Sequence, residues 1–179
     1  LLTQQILYEV KGAPDGMLTI SPNFTGKKDD DKDTQECTFN FYNETDYPLI
    51  DASIGIVGTR YLEFPTYARK IGDVRPRRGG TLLGLTVAIP KDKDKHSRVD
   101  FSIDSRSVTM WESVYFAWNG KGWIIDWTIF KEVDGREVYL RVLRPNSPFA
   151  AEVAQQKQWA KETADQKEQF EQEQGKSKK

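Results

Sequence analysis

The one cysteine and the one histidine of this sequence, Cys37 and His96, are the first residues to weigh for nucleophilic catalysis. A Ser-His-Asp or Cys-His mechanism would use His96 as its general base. His96 lies, however, in the charge-alternating run Lys91-Asp-Lys-Asp-Lys-His-Ser-Arg98, which is typical of a solvated loop. Cys37 follows Glu36, whose negative charge disfavours the reactive thiolate. We therefore predict no nucleophilic catalytic site and interpret Cys37 as a bystander.

Carboxylates are the remaining candidates for catalysis or metal binding, because one Cys and one His cannot form a four-ligand zinc site. The acidic run Asp29–Asp33 lacks the glycine and the distal glutamate of an EF-hand loop, so we interpret it as a solvated loop. Glu112 and Asp126 fall on adjacent predicted strands, as a glycosidase pair would. The pattern is unspecific, and we interpret both as polar residues on an outer sheet face. We predict no metal, no cofactor and no enzymatic activity.

The charged residues point away from nucleic acids. A net charge of -1, from 26 basic and 27 acidic residues, gives no general attraction to phosphate backbones or anionic lipid. One local exception is a basic turn that contains Arg75, Arg77 and Arg78 ahead of two glycines. Its guanidinium groups could hold a phosphate or the carboxylates of a partner.

Aromatic residues are the second kind of contact candidate. Trp111, Trp118, Trp123 and Trp127 are close in sequence, and aromatic strand faces stack sugars or bases and anchor protein partners. Since Trp111 and Trp118 lie on opposite faces of one predicted strand, we expect Trp118, beside the turn, to be nearer the surface. The predicted partner-binding residues are Arg75, Arg77, Arg78, Trp118, Lys121 and Trp159.

The elements that would position these residues are mostly β-strands. Segments 111–118, 123–130 and 137–143 are rich in aromatic and β-branched residues. Asn119-Gly120-Lys121-Gly122 separates the first two, and Asp134-Gly135 lies between the last two, so each connection contains an Asn-Gly or Asp-Gly dipeptide. Both dipeptides favour hairpin turns, so the region predicts a three-stranded antiparallel meander. On its middle strand, the alternate residues that begin with Trp123 should face the core.

Further short strands lie upstream, where apolar and polar residues alternate. They are predicted at Ile50–Ile56, Leu83–Ile89, Phe39–Phe41 and Val99–Ile103, with weaker patterns at Ile6–Val10 and Met17–Ile20. So many short strands with turn-forming segments between them favour a mainly β fold over an α/β fold. We predict an antiparallel β-sandwich, or a barrel-like domain, with a C-terminal α-helix.

The composition changes at Ser147-Pro148, where Ser suits a helix cap and Pro suits the first helical position. The following residues are mainly Ala, Gln, Glu and Lys. We therefore predict a sandwich-like domain over residues 1–146 and a polar helix with a disordered tail over residues 147–179. The helix, with Trp159, would dock either on the domain or on a partner.

The chain begins with Leu1 rather than Met, so we expect a signal peptide, lipid anchor or membrane helix to precede it. That anchor would be its only contact with a membrane. Two sequons, Asn23-Phe24-Thr25 and Asn43-Glu44-Thr45, would accept glycans in a eukaryotic secretory pathway.

Three segments together resemble a known family. They are Phe39-Asn-Phe-Tyr-Asn-Glu-Thr-Asp-Tyr-Pro48, Ile54-Gly-Ile-Val57, and Arg75-Pro-Arg-Arg-Gly-Gly80 ahead of an apolar strand that ends in Pro90. This pattern resembles small bacterial envelope lipoproteins that include immunity proteins of type VI secretion lipase effectors. The resemblance implies an exported, non-enzymatic protein that binds and blocks a toxic enzyme in the periplasm.

The sequence as a whole predicts a domain that acts by binding another protein. An immunity protein in the periplasm or envelope is the leading hypothesis, although the composition also suits a cytoplasmic protein. One alternative is a structural or accessory subunit of a bacterial envelope or secretion assembly. Another is a carbohydrate-active or carbohydrate-binding β-sandwich that uses the carboxylates and tryptophans.

Overall fold

The computed structural model describes residues 16–25, 33–62 and 66–155, which form nine strands, all paired antiparallel. The strands are β1 Leu18–Phe24, β2 Thr34–Asn43, β3 Leu49–Arg60, β4 Ala68–Val74, β5 Gly79–Pro90, β6 Ser97–Asp104, β7 Thr109–Trp118, β8 Trp123–Val133 and β9 Arg136–Arg141. Sheet A has the order β1-β2-β5, and sheet B has the order β4-β3-β6-β7-β8-β9. The predicted antiparallel β-sandwich is confirmed, and these strands do not close into a barrel.

Alternate apolar residues of both sheets meet in one shared core. From sheet A, Ile20 and Phe39 are fully buried, and from sheet B, Phe101 and Phe116 are fully buried. The ring of Phe39 lies 5.2 Å from that of Phe101 and 6.4 Å from that of Phe116, both in edge-to-face geometry. Aromatic contacts of this kind add to the gain from burying apolar area and hold the two sheets together.

The meander β7-β8-β9 is confirmed, with one difference at its first turn. Asp134 and Gly135 both have left-handed φ angles, 53° and 72°, as a two-residue hairpin turn requires. Trp118 pairs with Trp123, so the first loop spans Asn119–Gly122. There the Asn119 side-chain oxygen accepts the N–H groups of Lys121 and Gly122, each at 2.9 Å. The side chain of Asn119 therefore closes this turn. Asn119 itself does not adopt the left-handed conformation, whereas Gly120 does, with a φ of 89°.

Two strands differ from the sequence expectation. In β5, Leu82 is buried while Leu83 is 62% exposed, which reverses the predicted core face at this point. Gly84 has a φ of 80°, and the pairing of β5 with β2 shifts register here. A β-bulge at this point therefore switches which side chains of β5 face the core. The edge strand β4 was not predicted, because most of its residues are exposed and show no apolar alternation.

The chain divides into two compact units, Leu1–Leu143 and Arg144–Lys179. In the second unit, residues 150–155 are helical. Ser147 accepts the N–H of Phe149 on its hydroxyl at 3.4 Å and the N–H of Ala150 on its carbonyl at 3.2 Å, which agrees with its predicted capping role. The rest of the predicted helix, with Trp159, and the weak strand at Ile6–Val10 lie outside the described residues. No helix in the described part has the length and apolar character needed to cross a bilayer.

One buried side chain joins two of the three places where the described chain crosses between the sheets, the third being the β5–β6 connection. The two that it joins are the β2–β3 and β4–β5 connections. The amide nitrogen of Asn43 donates to the carbonyls of Tyr47, Val74 and Arg75 at 2.9, 3.1 and 3.3 Å. Its oxygen accepts the N–H and the hydroxyl of Thr45 at 3.0 and 2.7 Å. Because this nitrogen is buried and bonded, a glycan on the Asn43 sequon is incompatible with the fold.

Replacing Asn43 by alanine would leave the carbonyl of Val74 buried without this donor. We expect Asn43→Ala to lower the free energy of unfolding by about 2–3 kcal/mol, as measured by urea denaturation. The matched control is Asn23→Ala, which truncates an exposed asparagine on β1. That change should alter the free energy of unfolding by less than about 0.5 kcal/mol. Equal losses in the two variants would contradict the linking role of Asn43.

Candidate functional site

The predicted partner-binding residues fall into two groups at opposite ends of the sandwich. Arg75, Arg77 and Arg78 lie in the β4–β5 turn, next to the start of β5. Trp118 and Lys121 lie at the β7–β8 hairpin, and Lys91, which follows the end of β5, lies over the Trp118 ring. The structure therefore does not bring the two groups together. The sixth predicted residue, Trp159, lies outside the described part of the chain.

The arginine turn makes contacts that belong to the fold itself. The Arg77 Nε donates to Asp46 Oδ1 at 3.0 Å, and the Arg77 N–H donates to the carbonyl of Thr45 at 3.3 Å. The carbonyl of Arg78 accepts the N–H of Asn43 at 2.8 Å. Arg75, Arg77 and Arg78 are all exposed, but these hydrogen bonds attach their turn to the end of β2 and to the β2–β3 connection.

The two glycines after the arginines are needed for close packing. A Cβ at Gly79 would lie 2.0 Å from the carbonyl oxygen of Phe41, and a Cβ at Gly80 would lie 3.0 Å from the Phe41 ring. Sheet A could not form the start of the β2–β5 pair with a side chain at Gly79. Gly79 and Gly80 therefore allow β2 and β5 to approach closely. From the sequence pattern alone, this role cannot be distinguished from that of a flexible phosphate-binding turn.

At the hairpin end, cations lie over aromatic rings. Lys91 Nζ is 5.5 Å from the ring centroid of Trp118. At the end of β3, Arg60 Cζ and Lys95 Nζ are 5.1 and 5.9 Å from the ring centroid of Tyr61. All three distances are within the range of cation–π attraction. The hairpin-end surface is defined here as Arg60, Tyr61, Lys91, Lys95, Trp118 and Lys121.

Trp118 stands on a rigid aromatic base. Its ring lies 5.2 Å from that of Trp123, which in turn stacks on Phe24 at 5.0 Å. The indole N–H of Trp123 donates to the side-chain oxygen of Gln35 at 2.8 Å, which fixes the ring between the sheets. Trp118 is partly exposed, as its place beside the turn predicted. An aromatic side chain held in this way loses little conformational freedom when it binds.

Tyr61 has an unusual backbone conformation for a large residue. Its φ is 57° and its side chain is 52% exposed. A bulky residue in the left-handed region costs on the order of 1–3 kcal/mol, and such residues are concentrated at functional positions. No local sequence signal indicated Arg60 and Tyr61 as contact residues, because their proximity to Lys95 depends on the tertiary structure.

Glu112 is not on an outer face as expected. It pairs with Ile129 on the core face of sheet B and is fully buried. The N–H of Ile20 in β1 donates to its Oε2 at 2.8 Å, whereas Oε1 has no partner among the described residues. Burial raises the pKa of Glu112 well above its usual range, which outweighs the Ile20 hydrogen bond and the nearby charge of Arg141.

The pair of carboxylates required for glycoside hydrolysis does not form. Asp126 pairs with Tyr115, while Glu112 pairs with Ile129, so the two carboxylates lie on opposite faces of sheet B. Asp126 is also buried, and its Oδ1 accepts the N–H of Trp127 at 3.0 Å. One sugar ring cannot lie between two groups that face opposite sides of a sheet.

The other residues considered for catalysis or metal binding are Cys37, His96 and the acidic run Asp29–Asp33. Cys37 is buried on the core face of β2, and burial raises the pKa of its thiol to about 12. His96 lies in the connection between β5 and β6. The described residues contain no group of three or more His, Cys, Asp or Glu side chains that could hold a metal ion. Most of the acidic run Asp29–Asp33 lies outside those residues.

An open pocket lies over the free edge of β1, at the other end of the sandwich from the hairpin. Its volume is about 590 Å³. Strands of both sheets contribute to it, and its walls combine polar side chains with aromatic rings. Trp127, which the sequence assigned to the core face, lines this pocket with the guanidinium of Arg141 4.9 Å from its ring centroid. The lining residues are Thr19, Ser21, Asn40, Phe41, Tyr42, Glu44, Gly79, Gly80, Thr81, Trp127 and Arg141.

Comparisons with known proteins do not identify the chain. No protein-family model, no curated protein and no solved structure matches it. The resemblance to envelope lipoproteins therefore stays a prediction.

The raised pKa of Glu112 should make stability depend on pH. Between the ordinary Glu value of 4.5 and the raised value, the folded state holds a proton that the unfolded state has released. Stability should therefore fall as the pH rises through this window, by up to about 1.4 kcal/mol per pH unit. We expect Glu112→Gln, which keeps an acceptor for Ile20, to remove this dependence in urea denaturation at a series of pH values. An exposed control, Glu36→Gln, should retain it, and parallel curves for wild type and Glu112→Gln would refute the assignment.

The buried thiol of Cys37 should be unreactive in the native protein. With its pKa at about 12, almost no thiolate forms at neutral pH. We expect a thiol reagent such as Ellman's reagent to leave the folded protein unlabelled and to modify Cys37 stoichiometrically in urea. Rapid labelling without denaturant would show that Cys37 is accessible.

Proposed function

We propose that this protein is a non-enzymatic binding protein whose ligand is another protein, and that the hairpin-end surface makes the contact. The observation that carries the proposal is the pairing of two partly exposed aromatic residues, Trp118 and Tyr61, with cations over their rings. Trp, Tyr and Arg are the residue types that dominate binding energy at protein interfaces. Lysines around such anchors form the polar rim that interfaces have.

The rigidity of this surface supports the same proposal. Trp118 is held by Trp123, and Tyr61 is exposed at a position with a strained, left-handed backbone. Anchors that are already in place before binding reduce the ordering cost of association. Lys121 projects from the hairpin loop that Asn119 closes, so the rim has a defined position as well.

The family resemblance supports a more specific form of the proposal. The segments Phe39–Pro48, Ile54–Val57 and Arg75–Gly80 resemble envelope lipoproteins with immunity function. On this basis we propose that the protein acts in the bacterial periplasm or envelope, where it would bind and neutralise a secreted antibacterial effector. A structural or accessory role in an envelope or secretion assembly is the alternative, and it predicts different partners.

Identification of the partner separates these roles. The full-length protein would be tagged in its native organism and its stoichiometric partners identified by mass spectrometry. The partner is then purified and its binding and enzymatic activity are measured directly. A toxic enzyme whose activity this protein inhibits would support immunity, whereas a stable complex with envelope components and no inhibition would support the structural role.

Variants at the hairpin-end surface test the contact itself. We expect Trp118→Ala and Tyr61→Ala each to weaken binding of the purified partner by about 30-fold or more, which corresponds to about 2 kcal/mol. Tyr42→Ala is the matched control, since it removes another partly exposed tyrosine on sheet A. Calorimetry measures the affinity, and circular dichroism checks the fold. Wild-type affinity in both Trp118→Ala and Tyr61→Ala would overturn the proposed surface.

A further inference from the structure

The pocket over the free edge of β1 has binding groups that the folding contacts leave available. Arg141 lies over Trp127, and its guanidinium makes no hydrogen bond or ion pair to any described residue. Its position on an aromatic ring holds it in place without using its donors. A ligand in the pocket would therefore meet a pre-positioned set of N–H donors.

Acceptors and donors in the pocket are also held in place by contacts with their neighbours. The hydroxyl of Thr19 donates to Glu44 Oε1 at 3.0 Å, and the hydroxyl of Thr81 donates to Asn40 Oδ1 at 2.9 Å. These bonds orient the carboxylate and the amide but leave Glu44 Oε2 and Asn40 Nδ2 without a partner in the described chain. A ligand in the pocket would therefore meet both a hydrogen-bond acceptor, Glu44 Oε2, and a hydrogen-bond donor, Asn40 Nδ2.

The charges of the pocket select against ions. A phosphate or carboxylate would bind Arg141 but would be repelled by Glu44, and an ammonium group would meet the opposite problem. A neutral group with many hydroxyls can donate to Glu44 and accept from Arg141 and Asn40 at the same time. The two charges together favour a ligand without net charge. Among such ligands, one rich in hydroxyl groups can bond Arg141, Asn40 and Glu44 together, whereas a zwitterion would satisfy only the two charged residues.

Aromatic rings complete this chemistry. Phe41, Tyr42 and Trp127 line the same pocket, and Tyr42 is 38% exposed. Sugar rings have apolar C–H faces that pack on aromatic rings, and hydroxyl edges that bond polar groups. The pocket volume of about 590 Å³ lies within the range of small-ligand sites and has room for a short oligosaccharide.

We infer that this pocket is a binding site for a neutral oligosaccharide, with Arg141, Asn40 and Glu44 as its hydrogen-bonding residues. It is a second site, separate from the hairpin-end surface, and it requires no hydrolysis. The saccharide would bind intact.

Titration calorimetry of the full chain with cellotetraose, maltotetraose and tetra-N-acetylchitotetraose, which are all neutral, tests the site. We expect at least one of them to bind with a Kd of about 1 mM or tighter. Arg141→Gln and, in a second variant, Asn40→Ala should each weaken that binding by about 10-fold or more. The control Arg136→Gln makes the same change at an exposed residue of the same strand, β9, and should bind like wild type. Thermal unfolding checks that each variant is folded.

Several results would overturn the inference. They are the absence of binding by all three neutral oligosaccharides, binding that survives both Arg141→Gln and Asn40→Ala, and binding of glucuronate or inorganic phosphate alone. Trp118→Ala should bind the saccharide like wild type. Since the titration contains no protein partner, failure of the sugar site leaves the proposed protein contact standing, and the reverse also holds.

Discussion

The arrangement of the two sheets depends on the hydrogen bonds of the buried Asn43 side-chain amide. The chain leaves sheet A after β2 and returns to it at β5, and the Asn43 side chain bonds the backbone at both crossings. A buried polar group of this kind is stable only when its donors and acceptors are all satisfied. Its neighbours Tyr42 and Glu44 line the pocket, so the same interaction that joins the sheets also positions part of the pocket wall.

The small sheet needs a second link, because β1 is an edge strand with only β2 beside it. Glu112 provides that link by accepting the N–H of Ile20 from the opposite sheet. This N–H points away from β2, so Pro22, two residues later, also faces the free edge and removes no hydrogen bond from the sheet. A carboxyl group buried for this purpose favours its protonated form, which is the physical cause of its raised pKa. Its burial therefore serves the fold and gives no sign of catalysis.

The two candidate binding regions differ in how they are built. At the hairpin end, aromatic rings stack on one another and present Trp118 with cations around it. In the pocket, side chains from both sheets present polar atoms whose partners only partly satisfy them. The first arrangement suits a protein surface, and the second suits a small polar ligand. Rigid strands support both, which keeps the cost of ordering them on binding low.

Local patterns in the sequence determined the strands and much of the core. The two-residue period of Ile50–Ile56 and the turn Asp134-Gly135 act through neighbouring residues, so they could be read without knowledge of the fold. Only the tertiary structure decided that Leu82 replaces Leu83 in the core and that Glu112 faces inward. It also decided that Trp127 lines a pocket with Arg141 and that Tyr61 lies under Lys95. These features depend on bulges, strand register and contacts between residues far apart in the chain, and no local pattern encodes such distances.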